Sequence, residues 1–409
     1  MKFSNIISSL SIIVLTVAVS TAESATIHVP ADQPTIQAGI DAAVPGDIVL
    51  VADGTYTGPG NRDIDFGGKN IVLKSENGSE ATIIDCEGSS SDPHRGFTFH
   101  GGEDSSAVVD GFTIQGGYAP LSTPAFFPSY GGGIYCLGSN PTIKNNIIRG
   151  NSATHGGGIA CTISRPTITN NIISSNAGSG IYCETSSPSI YGNTITLNTT
   201  LYSFGGIYCY NSNPQISHNI VTFNDVSIVC VRSNPNLICC DVYGNERGDW
   251  VGCIADQAGI NGNFSLDPLF CDAASGDFSL RDHSPCAPDN NSCGELIGAL
   301  DIGCVATDIV DNDDLLPNEF SLSQNYPNPF NPKTIIEFSL PQKSNVKLTV
   351  YNVLGQRMNV LVDKVLSAGK YTVTWDGTDY NGLSVASGIY FYRLETDGFL
   401  TSRKMVLLK

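Results

Sequence analysis

The stretch that decides the fold is residues 131–151, which read GGGIYCLGSNPTIKNNIIRGN. Its Gly-Ile-x-Cys pattern returns along the chain, and the fifth, fainter copy begins with serine. A proline follows each cysteine by five residues, a first asparagine by ten and a second by fifteen, except that Cys240 replaces the first asparagine of the fifth copy. Such constant spacing predicts a repeat architecture over residues 131–245. The repeated cysteines are Cys136, Cys161, Cys183, Cys209 and Cys230.

The copies differ in length only between the second asparagine and the next cysteine, where the offset is 10, 7, 11 or 6 residues. A rigid unit with variable loops on one side is typical of a solenoid. Within each unit, apolar residues alternate with a period of two, which indicates short strands and no helix. Strands of successive coils would pair in parallel, about 4.8 Å apart.

We expect equivalent residues of successive coils to stack. The cysteines would point inward as small core hydrophobes, since thiols in a line do not converge on a tetrahedral metal site. The later cysteines are better disulfide candidates, with connectivity left open; these are Cys240, Cys253, Cys271, Cys286, Cys293 and Cys304. The first asparagines would form an amide ladder at a bend, namely Asn146, Asn171, Asn193 and Asn219.

The repeat resembles the right-handed parallel β-helix proteins of the pectate-lyase-like superfold, whose inner turns carry such asparagine stacks. The segments IHVPADQPTIQAGIDAA from Ile27 and GDIVLVADGTY from Gly46 are similar to the opening of many such proteins. DPLFCDAASGDFSL from Asp267 and IGALDIGC from Ile297 resemble a closing segment of bacterial members. The resemblance covers about residues 25–304. A short amphipathic helix within residues 34–43 would cap the open end of the solenoid.

The chain is expected to have four parts. Residues 1–22 have a lysine, an apolar run and small residues before a cleavage site, which is typical of an export signal. Residues 23–304 would be the β-helix passenger, and residues 305–319 an acidic, solvated linker. Residues 320–409 alternate strongly between apolar and polar positions, which predicts a small immunoglobulin-like β-sandwich. No other segment is predicted to span a membrane.

The tail resembles the type A sorting domain of type IX secretion. The matching motifs are YPNPFNP from Tyr326, VYNVLG from Val350, ASGIY from Ala386 and the final KMVLLK. The resemblance implies an outer-membrane bacterium, a first step through the Sec pathway, and the type IX machinery as partner. The mature protein would be secreted or attached to the outer surface. The other interpretation is an ordinary carbohydrate-binding β-sandwich. The motif residues singled out are Tyr326, Pro327, Asn328, Pro329, Phe330, Gly388 and Lys404.

Charge separates the passenger from the tail. The formal net charge is −18, and it is concentrated before residue 316, since the tail holds 10 basic and 7 acidic residues. This balance excludes a nucleic-acid partner, because phosphate binding needs a basic surface. We also predict that an acidic polysaccharide would bind only through Ca²⁺. The residues indicate no dedicated metal site.

One outward face is predicted to carry aromatic side chains. Tyr135, Tyr182 and Tyr208 occupy the outward position of the Gly-Ile-x-Cys strand, and Phe126 and Phe127 lie in the largest insertion, residues 118–130. Sugar rings stack on such platforms, so one interpretation of the stripe is contact with a glycan chain. The alternative is that the tyrosines pack beneath the neighbouring loops and protect the sheet. The two phenylalanines are equally interpreted as one wall of a cleft or as a cover over apolar coils.

The sequence contains no complete catalytic signature. The Asn-Thr-Asp, Asp-Asp, Gly-His-Gly and Arg-Ile-Lys motifs of polygalacturonases are missing from the passenger, as is the pectin methylesterase strand. Lyases of this superfold need a basic residue that abstracts a proton next to a carboxylate. The candidates in the repeats are Lys144, Arg149, His155 and Arg165, whose scatter also fits solvated surface positions.

These observations favour a secreted or cell-surface β-helix protein that contacts extracellular glycans or neighbouring cells without catalysis. A polysaccharide lyase or glycoside hydrolase acting on the strand face is the second hypothesis, and a purely structural spacer is the third. A groove holding acids beside Arg149 or Arg165 would favour the enzyme. A groove lined by Tyr, Asn, Ser and Thr would favour binding.

Overall fold

The computed structural model describes residues 24–119, 129–199, 205–304, 319–325, 328, 330, 332–366, 368–380, 383–396 and 398–408. The chain divides into two compact units, residues 1–305 and 306–409. In the described ranges, no helix is long and apolar enough to cross a membrane. Five predicted site residues, Phe126, Phe127, Tyr326, Pro327 and Pro329, lie outside the described residues, as does most of the acidic linker.

The first unit consists almost entirely of short strands. Its described residues contain one α-helix, α1 (Ile36–Ala42), and two 3-10 helices, Gly252–Gln257 and Pro288–Asn290. Its strands are β1 (Thr26–Val29), β2 (Ile48–Val51), β3 (Gly54–Tyr56), β4 (Ile64–Asp65), β5 (Val72–Ser75), β6 (Thr82–Asp85), β7 (Phe97–Phe99), β8 (Val108–Asp110), β9 (Thr113–Gln115), β10 (Ile134–Leu137), β11 (Thr142–Lys144), β12 (Ile147–Arg149), β13 (Ile159–Thr162), β14 (Thr167–Thr169), β15 (Ile172–Ser174), β16 (Ile181–Glu184), β17 (Ser189–Tyr191), β18 (Thr194–Thr196), β19 (Ile207–Tyr210), β20 (Gln215–Ser217), β21 (Ile220–Thr222), β22 (Ile228–Val231), β23 (Asn236–Ile238), β24 (Asp241–Tyr243), β25 (Phe270–Asp272), β26 (Asp277–Arg281) and β27 (Ile302–Cys304).

Strands β1–β24 form three parallel sheets. Sheet A has the order β1-β2-β5-β8-β11-β14-β17-β20-β23, sheet B the order β3-β6-β9-β12-β15-β18-β21-β24, and sheet C the order β4-β7-β10-β13-β16-β19-β22. Each coil of the repeat passes from sheet C to sheet A to sheet B, and the next coil pairs with it in register. The predicted all-β solenoid is confirmed.

In each coil of the repeat, the core receives an isoleucine and a cysteine from the strand of sheet C and one apolar side chain from each of the other two strands. In sheet C, Ile134 pairs in register with Ile159, which pairs with Ile181, and all three are fully buried. Burying an isoleucine side chain contributes about 1.5–3 kcal/mol. Because the register is constant, equivalent side chains of successive coils contact each other along the axis. The inward residues of the strands therefore form continuous rows in the core, and the outward residues form rows on the surface.

Two asparagine ladders hold the corners on either side of sheet B. At the corner between sheets A and B, Asn171 Nδ2 donates to Asn193 Oδ1 at 3.0 Å and to the Ile143 carbonyl at 2.9 Å. At the corner between sheets B and C, Asn176 Nδ2 donates in the same way to Asn198 Oδ1 at 3.0 Å. We predicted a ladder only for the first asparagines, although the second ones have equally constant spacing. The members of the second ladder are Asn151, Asn176, Asn198, Asn224 and Asn245.

A serine ladder forms the third corner, between sheets C and A. The Ser139 N–H donates to Ser164 Oγ at 3.2 Å, and the Ser164 N–H donates to Ser186 Oγ at 2.9 Å. The contacts continue through Ser212 to Ser233. A serine three residues after each repeated cysteine was the sequence signal for this ladder.

The helix α1 covers the first coil, as predicted. Thr35 Oγ1 accepts the Ala38 N–H at its amino end, and Ile36 and Ile40 are buried in the solenoid core. At its carboxyl end, Lys69 Nζ donates to the carbonyls of Ile40, Asp41 and Ala43 at 2.7–2.9 Å. A cation at this position stabilises the last carbonyl groups of a helix.

After the last coil, residues 265–304 form a closing segment that folds back over the outer face of sheet B. Strands β25 and β26 are an antiparallel hairpin, and β27 pairs in parallel with β26. Phe278, Leu280 and Ile297 of this segment pack with Ile172 and Ile220 of sheet B in a second hydrophobic cluster. The closing segment therefore has its own small core outside the solenoid.

The second unit is an antiparallel β-sandwich. Its strands are β28 (Ser321–Leu322), β29 (Thr334–Leu340), β30 (Ser344–Asn352), β31 (Arg357–Leu366), β32 (Gly369–Trp375), β33 (Gly388–Glu395) and β34 (Leu400–Leu407). They form a sheet of order β28-β29-β32 and another of order β31-β30-β33-β34. Phe330, Trp375 and Tyr390 are among its buried aromatic residues, so the predicted immunoglobulin-like architecture is confirmed.

Candidate functional site

The outer face of sheet C carries the predicted tyrosine row. Tyr135 pairs in register with Ala160, Ala160 with Tyr182, and Tyr182 with Tyr208. All four alternate with inward isoleucine and cysteine side chains, so they point away from the core. The row therefore lies where the sequence predicts it.

Tyr130 fills the gap that Ala160 leaves in the row. Its ring stacks on Tyr135 with centroids 5.7 Å apart and lies 5.8 Å from the ring of Tyr182. Tyr182 in turn stacks on Tyr208 at 5.3 Å with an interplanar angle of 11°. The result is a continuous aromatic column. Tyr130 was not predicted from the sequence, because it lies outside the constant part of the repeat.

Stacking leaves few ring faces open to a ligand. The guanidinium of Arg95 lies over the Tyr135 ring, 5.2 Å from its centroid, and His155 contacts Tyr182 edge-on at 4.5 Å. Tyr182 is only 4% exposed, whereas Tyr135 and Tyr208 are half-buried. Tyr182 is thus enclosed by its neighbours, whereas Tyr135 and Tyr208 remain partly exposed. The Tyr135 hydroxyl contacts Thr162.

A polar row runs beside the column on the same face. Thr162 pairs in register with Glu184, and Glu184 pairs with Tyr210. All three are half-buried. Glu184 also hydrogen-bonds the Tyr130 hydroxyl, and burial together with this carboxylate raises the pKa of Tyr130. Thr162 Oγ1 is buried, whereas the Glu184 carboxylate and the neighbouring Tyr210 place an acceptor beside a hydroxyl, a combination suited to neutral polar ligands.

His155 is unsuited to carry charge at neutral pH. Burial lowers the pKa of His155 to about 4, so its imidazole is neutral between Tyr130 and Tyr182. The ring therefore extends the aromatic column, and no charged group is added to it.

The four basic candidates are not brought together. Lys144 lies on sheet A, where Nζ is 3.3 Å from Asp110 Oδ2, and Arg149 lies on sheet B, where Nε donates to Gln115 at 3.3 Å. His155 belongs to the tyrosine column of sheet C. Arg165 is exposed at the corner between sheets C and A. Because the three sheets face different directions, one substrate cannot contact all four.

The cysteine row departs from its predicted pattern at one end. Cys136, Cys161, Cys183 and Cys209 are buried thiols, and contacts along the row together with burial raise the pKa of Cys161. Cys230 is aligned with Cys209 but forms a disulfide with Cys253. The reason is its place in β22, the last strand of sheet C, where a 3-10 helix follows in place of another coil.

Two cysteines expected to form disulfides are instead buried thiols, Cys240 and Cys286. Cys240 Sγ contacts the carbonyls of Ile216 and Ile238 at 3.5 and 3.3 Å, the same kind of positions that Asn219 Nδ2 contacts one coil earlier. The thiol thus substitutes for an asparagine in the ladder. The remaining disulfides join Cys239 to Cys293 and Cys271 to Cys304.

In the part of the chain that the structure describes, no group of three or more His, Cys, Asp or Glu side chains is arranged to hold a metal ion. The predicted requirement for Ca²⁺ concerns a bridge to an acidic polysaccharide. It stays a prediction.

In the tail, the described motif residues connect its first segment to its last strand. Asn328 Oδ1 accepts the Val406 N–H at 2.9 Å, and Phe330 exchanges backbone hydrogen bonds with Val406 and Leu408. Gly388 pairs with Leu407, while the Lys404 side chain is exposed. The two ends of the tail are therefore held together in one folded unit.

Comparison with known proteins agrees with this architecture. Residues 70–264 match the family model described as a right handed beta helix region. The solenoid is a right-handed parallel β-helix. Residues 329–398, within the β-sandwich, match the model of the FlgD Ig-like domain. No curated protein matches the chain.

Three solved structures show partial similarity to this chain. Pectate lyase Pel9A is 16% identical, with 55% of this chain and 64% of that chain covered and a TM-score of 0.39. Dimeric latent PorU from Porphyromonas gingivalis is 19% identical over 22% of this chain and 9% of its own, with a TM-score of 0.20. PorZ, a surface component of the type-IX secretion system of the same organism, is 15% identical over 24% and 13%, with a TM-score of 0.18. The chain spans less than two thirds of the length of each.

Proposed function

We propose that this chain is an exported β-helix protein that binds extracellular glycans on the outer face of sheet C, without cleaving them. The observation that carries the proposal is the pair of rows on this face. Tyr135 and Tyr208 are half-buried in one row, and in the other Glu184 lies between Thr162 and Tyr210. Sugar hydroxyls both donate and accept hydrogen bonds, so they can pair with the hydroxyl groups and with the carboxylate of this face.

The mode of binding differs from the one expected from sequence. A sugar ring stacks on an open aromatic face, but Tyr130 and Arg95 contact the ring of Tyr135. We therefore propose contact through ring edges and hydroxyl groups along the axis of the β-helix. The rigid spacing of one rung per coil, about 4.8 Å, favours an extended chain over a compact ligand.

Export is supported by the apolar start of the chain, by the tail motifs and by the three disulfides. Disulfides persist mainly in oxidising compartments outside the cytosol. We propose that residues 320–409 direct the last export step through the type IX machinery. The folded connection between Asn328, Phe330 and β34 supports recognition of the tail as a unit.

The test uses the full chain with a polysaccharide panel, with and without Ca²⁺. Titration calorimetry should detect binding, while unsaturated sugar ends and reducing ends should stay at background. Tyr208→Phe and Glu184→Gln should each weaken binding about 5- to 30-fold, as expected when one hydrogen bond of about 1–2 kcal/mol is lost. Both variants keep the ring stack, so the melting temperature should change little.

Tyr380→Phe is the matched control, because Tyr380 is 75% exposed in the tail and far in sequence from sheet C. New unsaturated ends would identify a lyase, and reducing ends alone a hydrolase. Either would replace the binding proposal. If no polysaccharide of the panel is bound or cleaved, the binding proposal is wrong, and the hypothesis of a purely structural spacer remains.

A further inference from the structure

The outer face of sheet B carries an apolar row of its own. In register along the axis it contains Ile83, Thr113, Ile147, Ile172, Thr194 and Ile220. These side chains point away from the solenoid core. An apolar row on an outer face is stable in water only where something covers it.

Residues 297–299 of the closing segment cover part of this row, and the chain bends at Gly298, where φ is 100°. The Gly298 N–H donates to the His218 carbonyl at 2.8 Å, and the Ala299 N–H donates to Thr194 Oγ1 at 3.1 Å. Ile297 is fully buried beside this crossing. A Cβ at position 298 would lie 2.6 Å from Ile220 Cδ1, so the approach requires glycine. The protein thus shows how a peptide docks on this face.

Beyond the crossing, the row continues into an open trough. One cavity of about 490 Å³ is lined by Ile83, Ile147 and Ile172 and is bounded by the hairpin turn at residues 273–276. A second cavity of about 360 Å³ shares Ile147 and Ile172 and reaches the corner residues Asn145 and Asn170. The two cavities adjoin at Ile147 and Ile172, and together they are called the trough, with these isoleucines as its floor.

The trough repeats the corner carbonyls and the outward apolar row that hold the closing segment, whereas Ile172 and Ile147 occupy the positions equivalent to Thr194 and offer no hydroxyl. Asn145, Asn170 and His218 all occupy the left-handed corner between sheets A and B, with φ of 54–56°. The carbonyl that accepts the Gly298 N–H at His218 has equivalents at Asn145 and Asn170. The floor is the same outward row, two and three coils earlier. A second segment would find similar contacts here.

The rim of the trough is mostly acidic. Glu76, Glu80, Asp110 and Asp277 line it, against the cations of Lys74 and Arg149. Arg149 is already hydrogen-bonded to Gln115, and Asp110 is paired with Lys144. The hydrogen bond to a neutral glutamine leaves Arg149 charged, so the rim has four carboxylates against two cations, and this excess of negative charge attracts a cationic group.

We propose that the trough binds an extended peptide segment of a partner protein, with an apolar side chain on the isoleucine floor and a basic residue next to it. The backbone N–H groups of the peptide donate to the carbonyls of Asn145 or Asn170, as Gly298 does to His218. The site is distinct from the sheet C face, since it lies on sheet B and its corner with sheet A.

The test uses the full chain and a fluorescent peptide, Lys-Leu-Ile-Gly-Ala-Leu-Lys, which places residues 296–300 between two lysines. Fluorescence anisotropy should show saturable binding. Ile147→Lys fills the floor with a charge and should weaken binding at least tenfold. Glu80→Lys changes an exposed rim residue, so it should weaken binding several-fold while the packing of the core stays unchanged.

Ile163→Lys is the matched control, because Ile163 is 65% exposed at the opposite corner of the coil and should leave affinity unchanged. A peptide with glutamates in place of the lysines should bind more weakly than the lysine peptide. Absence of saturable binding overturns the proposal, as does binding that neither Ile147→Lys nor Glu80→Lys alters. If Ile147→Lys abolishes glycan binding and peptide does not bind, the trough is a sugar site, and the peptide proposal is wrong.

Discussion

Asp241 is an acidic residue in an environment that disfavours its charge. It is fully buried under the closing segment, with its carboxylate accepting the Leu266 N–H at 3.1 Å and the Cys286 thiol at 3.4 Å. Burial raises the pKa of Asp241 from its ordinary 3.8 to about 7. The folded protein thus holds this proton more tightly than the unfolded chain.

This shift makes stability depend on pH. The contribution of Asp241 is greatest below pH 4, decreases as pH rises from about 4 to about 7, and is constant above. A pKa difference of this size corresponds to about 4 kcal/mol. Asp241→Asn removes the charge and keeps the acceptor for Leu266. The variant should therefore be more stable than the native protein at pH 8 and similar at pH 4, as measured by chemical unfolding across this range.

The exposed Asp256→Asn variant controls for a general effect of removing a carboxylate, and it should follow the native pH profile. A parallel profile for Asp241→Asn would contradict the assignment of the pH dependence to this buried carboxyl.

At the scale of the element, the asparagine ladder is the feature that one sequence predicts best. Its asparagines lie ten residues after the repeated cysteines, and this constant offset predicted which residues belong to the ladder. Their hydrogen bonds follow because equivalent residues of successive coils stack. Asn193→Ala removes the Nδ2 donor of the Ile168 carbonyl and the Oδ1 acceptor of the Asn171 side chain. Each buried polar group left unpaired costs about 1–3 kcal/mol.

We therefore expect Asn193→Ala to lower the free energy of unfolding by about 3 kcal/mol, measured by urea denaturation. Asn234→Ala at an exposed corner should change it by less than about 0.5 kcal/mol. Equal effects of the two substitutions would mean that the ladder contributes little to stability.

The candidate site was less predictable than the ladders, for a physical reason. The tyrosine row follows from strand alternation, but its column is completed by Tyr130 and Arg95, which lie outside the regular spacing. Likewise, the disulfide of Cys230 depends on the 3-10 helix after the last strand of sheet C, and the trough depends on where the closing segment crosses sheet B. Repeats define the rows along the axis, while contacts between irregular segments depend on tertiary packing.

At the scale of the whole molecule, covalent support is confined to one end of the β-helix. The three described disulfides involve only residues from Cys230 to Cys304, and the coils before them depend on packing and ladders. In a solenoid each coil contacts mainly its neighbours, so loss of support at one end need not spread. Reduction should loosen the closing segment first.

Hydrogen exchange with and without a reductant can measure this directly. After reduction, amides of residues 265–304 should exchange at least tenfold faster, while those of β10–β18 keep their protection. The tail, which contains no cysteine, serves as the internal control. A uniform increase across all coils would show instead that the closing segment stabilises the entire β-helix.

The register of the central coils also bears on how such a chain can change its length. Residues from one repeated cysteine to the next form an interchangeable unit, since every unit offers the same isoleucine, serine and asparagine rungs to both neighbours. Duplicating or deleting one unit in the gene would extend or shorten the rod by about 4.8 Å without disturbing either end. The reach of the protein is thus a quantity that recombination can adjust in whole steps.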